Sequence, residues 1–197
     1  SDIVNEIIQG YQDDFAKYGA KANPLLLRQT LISVAHQAGA KFVYSRVEGQ
    51  YRSAEVKVAL EMLKDAGLII PTYHTDANGV PLGAEINERV VKYLIHDTGV
   101  LLGILGIDDD IDDSIKEMMV ADSIDLVDKG HVAEMMAGLE LIKYSSPQKR
   151  HQLYYWQNMN KGTCAEVDYV IARSGSIVPI EVKSGVKGSM SSMYSLM

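Results

Sequence analysis

The chain has 197 residues, of which 47% are hydrophobic and 23% charged, and a formal net charge of −7 at pH 7. This composition argues against disorder and fits one domain of ordinary size or two small ones. The acidic balance counts against a nucleic-acid partner without excluding one, because phosphate binding rests on Lys and Arg.

No apolar run approaches the roughly 18 residues needed to span a bilayer. The first ten residues carry Asp2, Asn5, Glu6 and Gln9, so no secretory signal is expected. Cys164 is the single cysteine and cannot form an internal disulfide, which fits a reducing cytoplasm. The chain starts with Ser1 and not Met, which suggests either an artificial start or a piece of a longer protein.

In chain order, Ile3, Ile7, Ile8, Tyr11 and Phe15 recur at three-to-four spacing and predict a helix over 3–19. Asn23-Pro24 marks the next helix start, with Asn as cap and Pro at the first helical position, and Gly39 ends it. Residues 41–49 favour no one element. Ser53 is the expected cap of a third helix, with Val56, Ala59, Leu60 and Leu63 on one face and Gly67 closing it.

"LIIPTYH", "TDANG" and "VPLGAEI" read as strand, turn and strand. Three helices and a two-stranded ribbon are the order of a winged helix, whose third helix often enters the major groove. Here that helix carries Arg52, Lys57 and Lys64 but also Glu55, Glu61 and Asp65, a balance that suits packing or dimerisation better than DNA reading.

"ERVVKYLIHDTGVLLGILG" is an apolar strand-or-helix segment broken by Gly99, Gly103 and Gly106. The run 108–113, "DDDIDD", is no calcium loop. An EF-hand needs Gly at position six and Glu at twelve, and those positions hold Asp113 and Met119. It reads as a solvated turn before a helix over 114–128, and Gly130 separates a second helix over 130–144. The Ser- and Met-rich end is weakly structured on its own composition. No phosphate-binding GxxxxGK loop, CxxC, HExxH or GxSxG occurs, so a nucleotide, zinc or serine-nucleophile site has no support.

Residues 165–185, "AEVDYVIARSGSIVPIEVKSG", read as a hairpin turning at Ser174-Gly175. Pairing Arg173 with Ser176 sets Asp168 opposite Glu181 and Glu166 opposite Lys183. Side chains alternate faces along a strand. One face then carries Val167, Tyr169 and Ile171 against Val178, Ile180 and Val182 and is a core face. The other carries Glu166, Asp168, Val170 and Ala172 against Lys183, Glu181, Pro179 and Ile177. Carboxylates facing each other across a sheet repel, and a divalent cation resolves the repulsion. Mg²⁺ takes one or two carboxylates plus water and phosphate oxygens. A solvent-facing hairpin with a Glu166–Lys183 ion pair is the plainer reading.

"EVDYV…IPIEVKSG" resembles the signature of the PD-(D/E)xK nuclease superfamily, an Asp on one strand and Glu-x-Lys on the next. That resemblance implies a Glu on a preceding helix, here Glu134 in "GHVAEMMAGLELIKY", and a strand over Leu153–Trp156. "KYLIHDTGVLLGILG", "YYWQ" and "AEVDYVI…PIEVKSG" together resemble the C-terminal region of the DUF4143 family of AAA-type ATPases, from about residue 20 to 187. In that family a P-loop ATPase domain precedes a winged-helix-like segment and a nuclease-like domain. This chain holds no P-loop, so an ATPase domain is an expected upstream partner.

The resemblance implies phosphodiester hydrolysis. Asp168 and Glu181 would hold Mg²⁺ or Mn²⁺, with the Val182 carbonyl as a third ligand. Lys183 would position the nucleophile, Glu134 would complete the metal shell, and Glu166 would tune Lys183. Trp156, Tyr154 and Tyr155 either stack on bases or belong to core and rim. His131 and His151 are candidate acid–base groups that nothing in the spacing selects. Three readings compete: a metal-dependent nuclease-like region, an idle nuclease-fold module that binds DNA or protein and regulates an ATPase, and a winged-helix regulator.

The expected fold is α+β: a winged-helix-like domain over 1–85, then a restriction-endonuclease-like domain over 86–197, a small mixed sheet flanked by helices. No membrane partner is expected.

Overall fold

The computed structural model describes residues 2–18, 23–105, 129–145, 152–158 and 165–183, with Met193 and Leu196. The acidic run 108–113, the helix expected over 114–128, His151 and Cys164 lie outside the described residues. Among those described, five α-helices, a mixed four-stranded sheet and a two-stranded sheet make an α+β fold. The helices are α1 (Asp2–Phe15), α2 (Pro24–His36), α3 (Ser53–Asp65), α4 (Thr98–Ile104) and α5 (Lys129–Lys143). The strands are β1 (Ile69–Thr75), β2 (Ile86–Ile95), β3 (Leu153–Gln157), β4 (Glu166–Val167), β5 (Tyr169–Arg173) and β6 (Ser176–Ile180).

The chain divides into two compact units. One takes Ser1–Ala38, Val43–Ile70 and Ile95–Asp128; the other takes Gly39–Phe42, Pro71–Leu94 and Lys129–Met197. Residue 85, the expected domain boundary, lies within the second unit's Pro71–Leu94 stretch.

The first unit is helical. Asn23 caps α2 through its side chain, which accepts from the Leu25 N–H at 3.0 Å, with Pro24 at the first helical position as its missing donor allows. Leu27, Leu31 and Val34 of α2 and Val56, Leu60 and Leu63 of α3 are buried, the apolar faces that the three-to-four spacing predicts. Asp97 caps α4, accepting from the Val100 N–H at 3.0 Å, which gives "HDTGV" a structural reason.

The buried polar group Gln37 is fully answered by neutral neighbours. Its Nε2 donates to Ser33 Oγ at 2.9 Å and to the Val43 carbonyl at 3.3 Å, and its Oε1 accepts from the Val43 N–H at 2.8 Å.

The second unit holds the sheets. The order of the larger one is β2-β1-β3-β4, with β1 and β3 parallel (Thr72↔Leu153) and β3 and β4 antiparallel (Trp156↔Val167). This corrects the expected wing. β1 is an interior strand with neighbours on both edges, consistent with its near-continuous burial. The stretch read as its ribbon partner is instead bends and a 3-10 turn at Leu82–Glu85, where Pro81 offers no N–H to a ladder. The true partner, β2, starts at Ile86, so the strand-or-helix segment resolves into β2 and α4.

The β5–β6 hairpin turns at Ser174 (φ 52°) and Gly175 (φ 79°), the paired positive values that a two-residue turn between twisted strands demands. Its register, Arg173↔Ser176 through Tyr169↔Ile180, is the one the alternation predicts. The burial differs from the two-faced expectation. Tyr169 and Val170 are both buried although they point to opposite faces. Val170 joins Ala77, Leu82 and Val167 in an apolar cluster that Tyr154, Trp156, Ile177, Met193 and Leu196 also cover.

Candidate functional site

Three elements of the second unit bring the charged groups together: β2, α5 and the strand that runs from β4 into β5. At Asp168 that strand bends and changes partner. Glu166 and Val167 before it pair with β3, whereas Tyr169 onward pairs with β6. Glu166 therefore leaves the hairpin ladder and does not face Lys183, which corrects the expected pair. Its carboxylate meets Lys92 Nζ at 2.5 Å instead. Lys183 pairs with Glu181, two residues away in the segment that follows β6.

Glu134 stands on the face of α5 that also carries Gly138, one turn on. A Cβ at Gly138 would stand on the Tyr169 hydroxyl and the Leu94 side chain. Glycine there lets the buried Tyr169 donate to the Glu134 carbonyl at 2.7 Å, fixing the helix against β5. From the other side Gly39 (φ +73°) approaches so closely that a Cβ would meet the His131 ring and come within 3.2 Å of Glu134 Oε2. The Glu134 carboxylate is thus wedged, 7% exposed, with Oε1 accepting from Lys92 Nζ at 2.8 Å.

Lys92 is the group that sequence reasoning missed. It is 2% exposed and bridges Glu134 and Glu166, with its Nζ 5.0 Å from the centre of the buried Tyr155 ring. The signal was present in "RVVKYLI": a lysine inside an apolar strand has to find carboxylates, because a buried charge without a partner is too costly to keep.

Burial works to lower the Lys92 pKa, but Glu134 and then Glu166 outweigh it and raise the value above 10.5. Burial lifts Glu134 to about 7, Lys92 pulls it back only in part, and Asp168 and Glu166 push it further up. Burial also raises the Tyr155 and Tyr169 hydroxyls, with negative charge nearby adding to the rise.

Asp168 accepts from the Val182 N–H at 2.7 Å, so Val182 presents a donor to this carboxylate. The Glu181 side chain is largely buried; one oxygen takes Lys183, and the other, Oε2, is enclosed with no hydrogen-bond partner among the described residues.

The expected constellation is assembled only in part. Asp168 and Glu166 both act on Glu134, but Glu134 and Glu166 converge on a lysine. Among the described residues no three His, Cys, Asp or Glu side chains form a group that could hold a metal ion. The donor set does not fit a ready-made Mg²⁺ or Mn²⁺ cage: each of these carboxylates already has an intramolecular partner. Tyr155 is fully buried and offers no face to a base, while Tyr154 and Trp156 pack on the apolar cluster.

The family described as DUF8612, a domain of unknown function, matches residues 2–111. The family described as DUF4143, also a domain of unknown function, matches residues 129–197. The DUF4143 likeness is therefore confined to a shorter stretch than the 20–187 read from the sequence. That stretch still holds Glu134, Glu166, Asp168, Glu181 and Lys183; Lys92 lies in the DUF8612 match. No curated protein and no solved structure matches the chain.

Proposed function

The chain belongs to the DUF8612 family and ends in a DUF4143 region, a kind typically found in AAA ATPase-associated proteins, and from that premise we propose that it is a non-hydrolytic binding module that regulates an ATPase partner domain. The observation that carries this reading is the internal engagement of the charged set. Lys92 holds Glu134 and Glu166, Val182 holds Asp168, and Lys183 holds Glu181. A hydrolytic site needs groups poised toward substrate; these are turned toward one another. The net charge of −7 and the mixed charge of α3 favour a protein partner over DNA.

A second reading, Mg²⁺- or Mn²⁺-dependent phosphodiester cleavage at Asp168, Glu181 and Lys183, draws on the unpartnered Oε2 of the buried Glu181. The test is a cleavage assay on supercoiled, linear and single-stranded DNA and on RNA, with Mg²⁺ or Mn²⁺, comparing wild type with Lys183→Ala. The binding-module reading expects equal, background-level products from both. Cleavage by wild type that Lys183→Ala abolishes would overturn it and establish the second.

A further inference from the structure

We propose that the outer face of α1 docks a basic amphipathic helix of a partner protein, along a row made of Ile3, Ile7 and Gly10. The inference goes beyond the functional reading above and stands apart from it, since α1 belongs to the first unit and the charged set to the second.

The helix carries two apolar rows and has neighbours for one. Val4, Ile8, Tyr11 and Phe15 recur at four-three-four spacing and form the inner row. On that side α1 packs against α2 and α4. Phe15 is buried, and the Tyr11 hydroxyl meets His96 Nε2 at 3.1 Å with the two rings edge to face. Ile3, Ile7 and Gly10 repeat the spacing one position earlier and form the outer row. Ile3 is 68% and Ile7 40% exposed. One apolar stripe seats a helix on its own domain; a second stripe beside it calls for a second neighbour.

Gly10 points the same way. Glycine inside a helix costs backbone entropy and suits a place where something approaches closely. Among the described residues nothing does: a Cβ at Gly10 would meet no atom within 4 Å. The notch is open to a large side chain from outside.

Charge selects the occupant. From Asp2 to Phe15 the helix holds Asp2, Glu6, Asp13 and Asp14 and no Lys, Arg or His. Written as heptads with Ile3 at d and Ile7 at a, Glu6 and Asp13 take the g positions that flank the row. Lys17 answers Asp14, and the neutral Gln9 amide reaches Asp13 at 2.9 Å. Among the described residues no cation pairs with Glu6 or Asp13. Lys or Arg beside the apolar side chains of the occupant would complete that flank. Anionic lipid and nucleic acid are repelled by it. A second copy fits poorly, because antiparallel α1 helices set Glu6 and Asp13 against the same two residues of the other copy.

The experiment uses the whole chain and two dye-labelled synthetic peptides of three heptads. Both carry Leu at a and d; one has Lys and the other Glu at e and g, like charges that keep each from pairing with itself. Fluorescence anisotropy reads binding to wild type, to Ile3→Ser combined with Ile7→Ser, and to Glu6→Lys combined with Asp13→Lys. Circular dichroism checks that each variant is folded. Wild type is expected to bind the Lys peptide and not the Glu peptide. The serine variant should bind the Lys peptide about tenfold more weakly or worse, and the lysine variant should prefer the Glu peptide.

No binding of the Lys peptide to wild type overturns the proposal, as does binding that both variants leave unchanged. Loss in the serine variant without reversal in the lysine variant overturns the basic partner. If the serine variant is unfolded, the lysine variant decides alone: reversal supports the proposal and an unchanged preference overturns it. A wild-type dimer in sedimentation that the serine variant abolishes overturns it too, and gives the face to a second copy.

Discussion

The two units solve the same problem with different chemistry. Each buries a polar side chain among apolar ones. In the first, Gln37 is answered by a hydroxyl and by the backbone of Val43, all neutral. In the second, Lys92 is answered by Glu134 and Glu166, all charged. A neutral network can lose a member at the cost of a hydrogen bond. A charged one cannot, because the survivor is left buried and unpaired. The comparison teaches that the second unit's core is conditional on its charge balance, whereas the first unit's core is conditional on its packing.

Breaking the ionic side should have the largest effect. Lys92→Met keeps the volume but strands two carboxylates, and should cost about 3–5 kcal/mol in urea unfolding. If it proves neutral or stabilising, the contrast between the units fails.

The pH dependence sharpens the same contrast. Unfolded, Glu134 titrates near 4.5; folded, burial lifts it to about 7. Between these values the folded chain holds a proton that the unfolded chain has released. The contribution of this group to stability is therefore full below 4.5 and lost as pH rises through about 7. The stability difference between wild type and Glu134→Gln should change across that window and flatten on either side. A difference independent of pH would show that the Glu134 pKa is ordinary.

On the neutral side, Gln37→Leu removes the partner of the Val43 N–H and should cost about 1–3 kcal/mol, with no pH dependence of its own. The smallest expected effect belongs to the α2 cap. Asn23→Ala should cost about 1 kcal/mol, read as a small shift in the urea midpoint at unchanged slope.

Local chemistry made part of this legible from sequence. Asn23-Pro24, the apolar spacing of α2 and α3 and the Ser174-Gly175 turn each act through neighbours within a few residues, so the helices and the hairpin register follow from them. Asp168 was reached through the hairpin's alternation and Glu134 through resemblance, and the Asp168 charge acts on Glu134.

The rest depends on distant partners. Lys92 and Glu166 are 74 positions apart, and the parallel pairing of β1 with β3 joins segments separated by some 80 positions. No local pattern marks either. The bend at Asp168 was hidden because the alternation continues through it unchanged, although the strand's partner does not. Val170 was assigned to the open face for the same reason, since the cluster that covers it is assembled from Ala77, Leu82 and Val167.

The single tryptophan adds an experimental consequence. Trp156 lies in the second unit, on the Ala77–Leu82–Val167–Val170 cluster, whereas α1 to α4 belong to the first. Tryptophan fluorescence, excited where tyrosine does not absorb, is thus a private channel to one unit, while far-ultraviolet ellipticity is weighted toward the other. Recorded on one sample, the two signals would show whether the halves melt as one cooperative body or in sequence, with no label added.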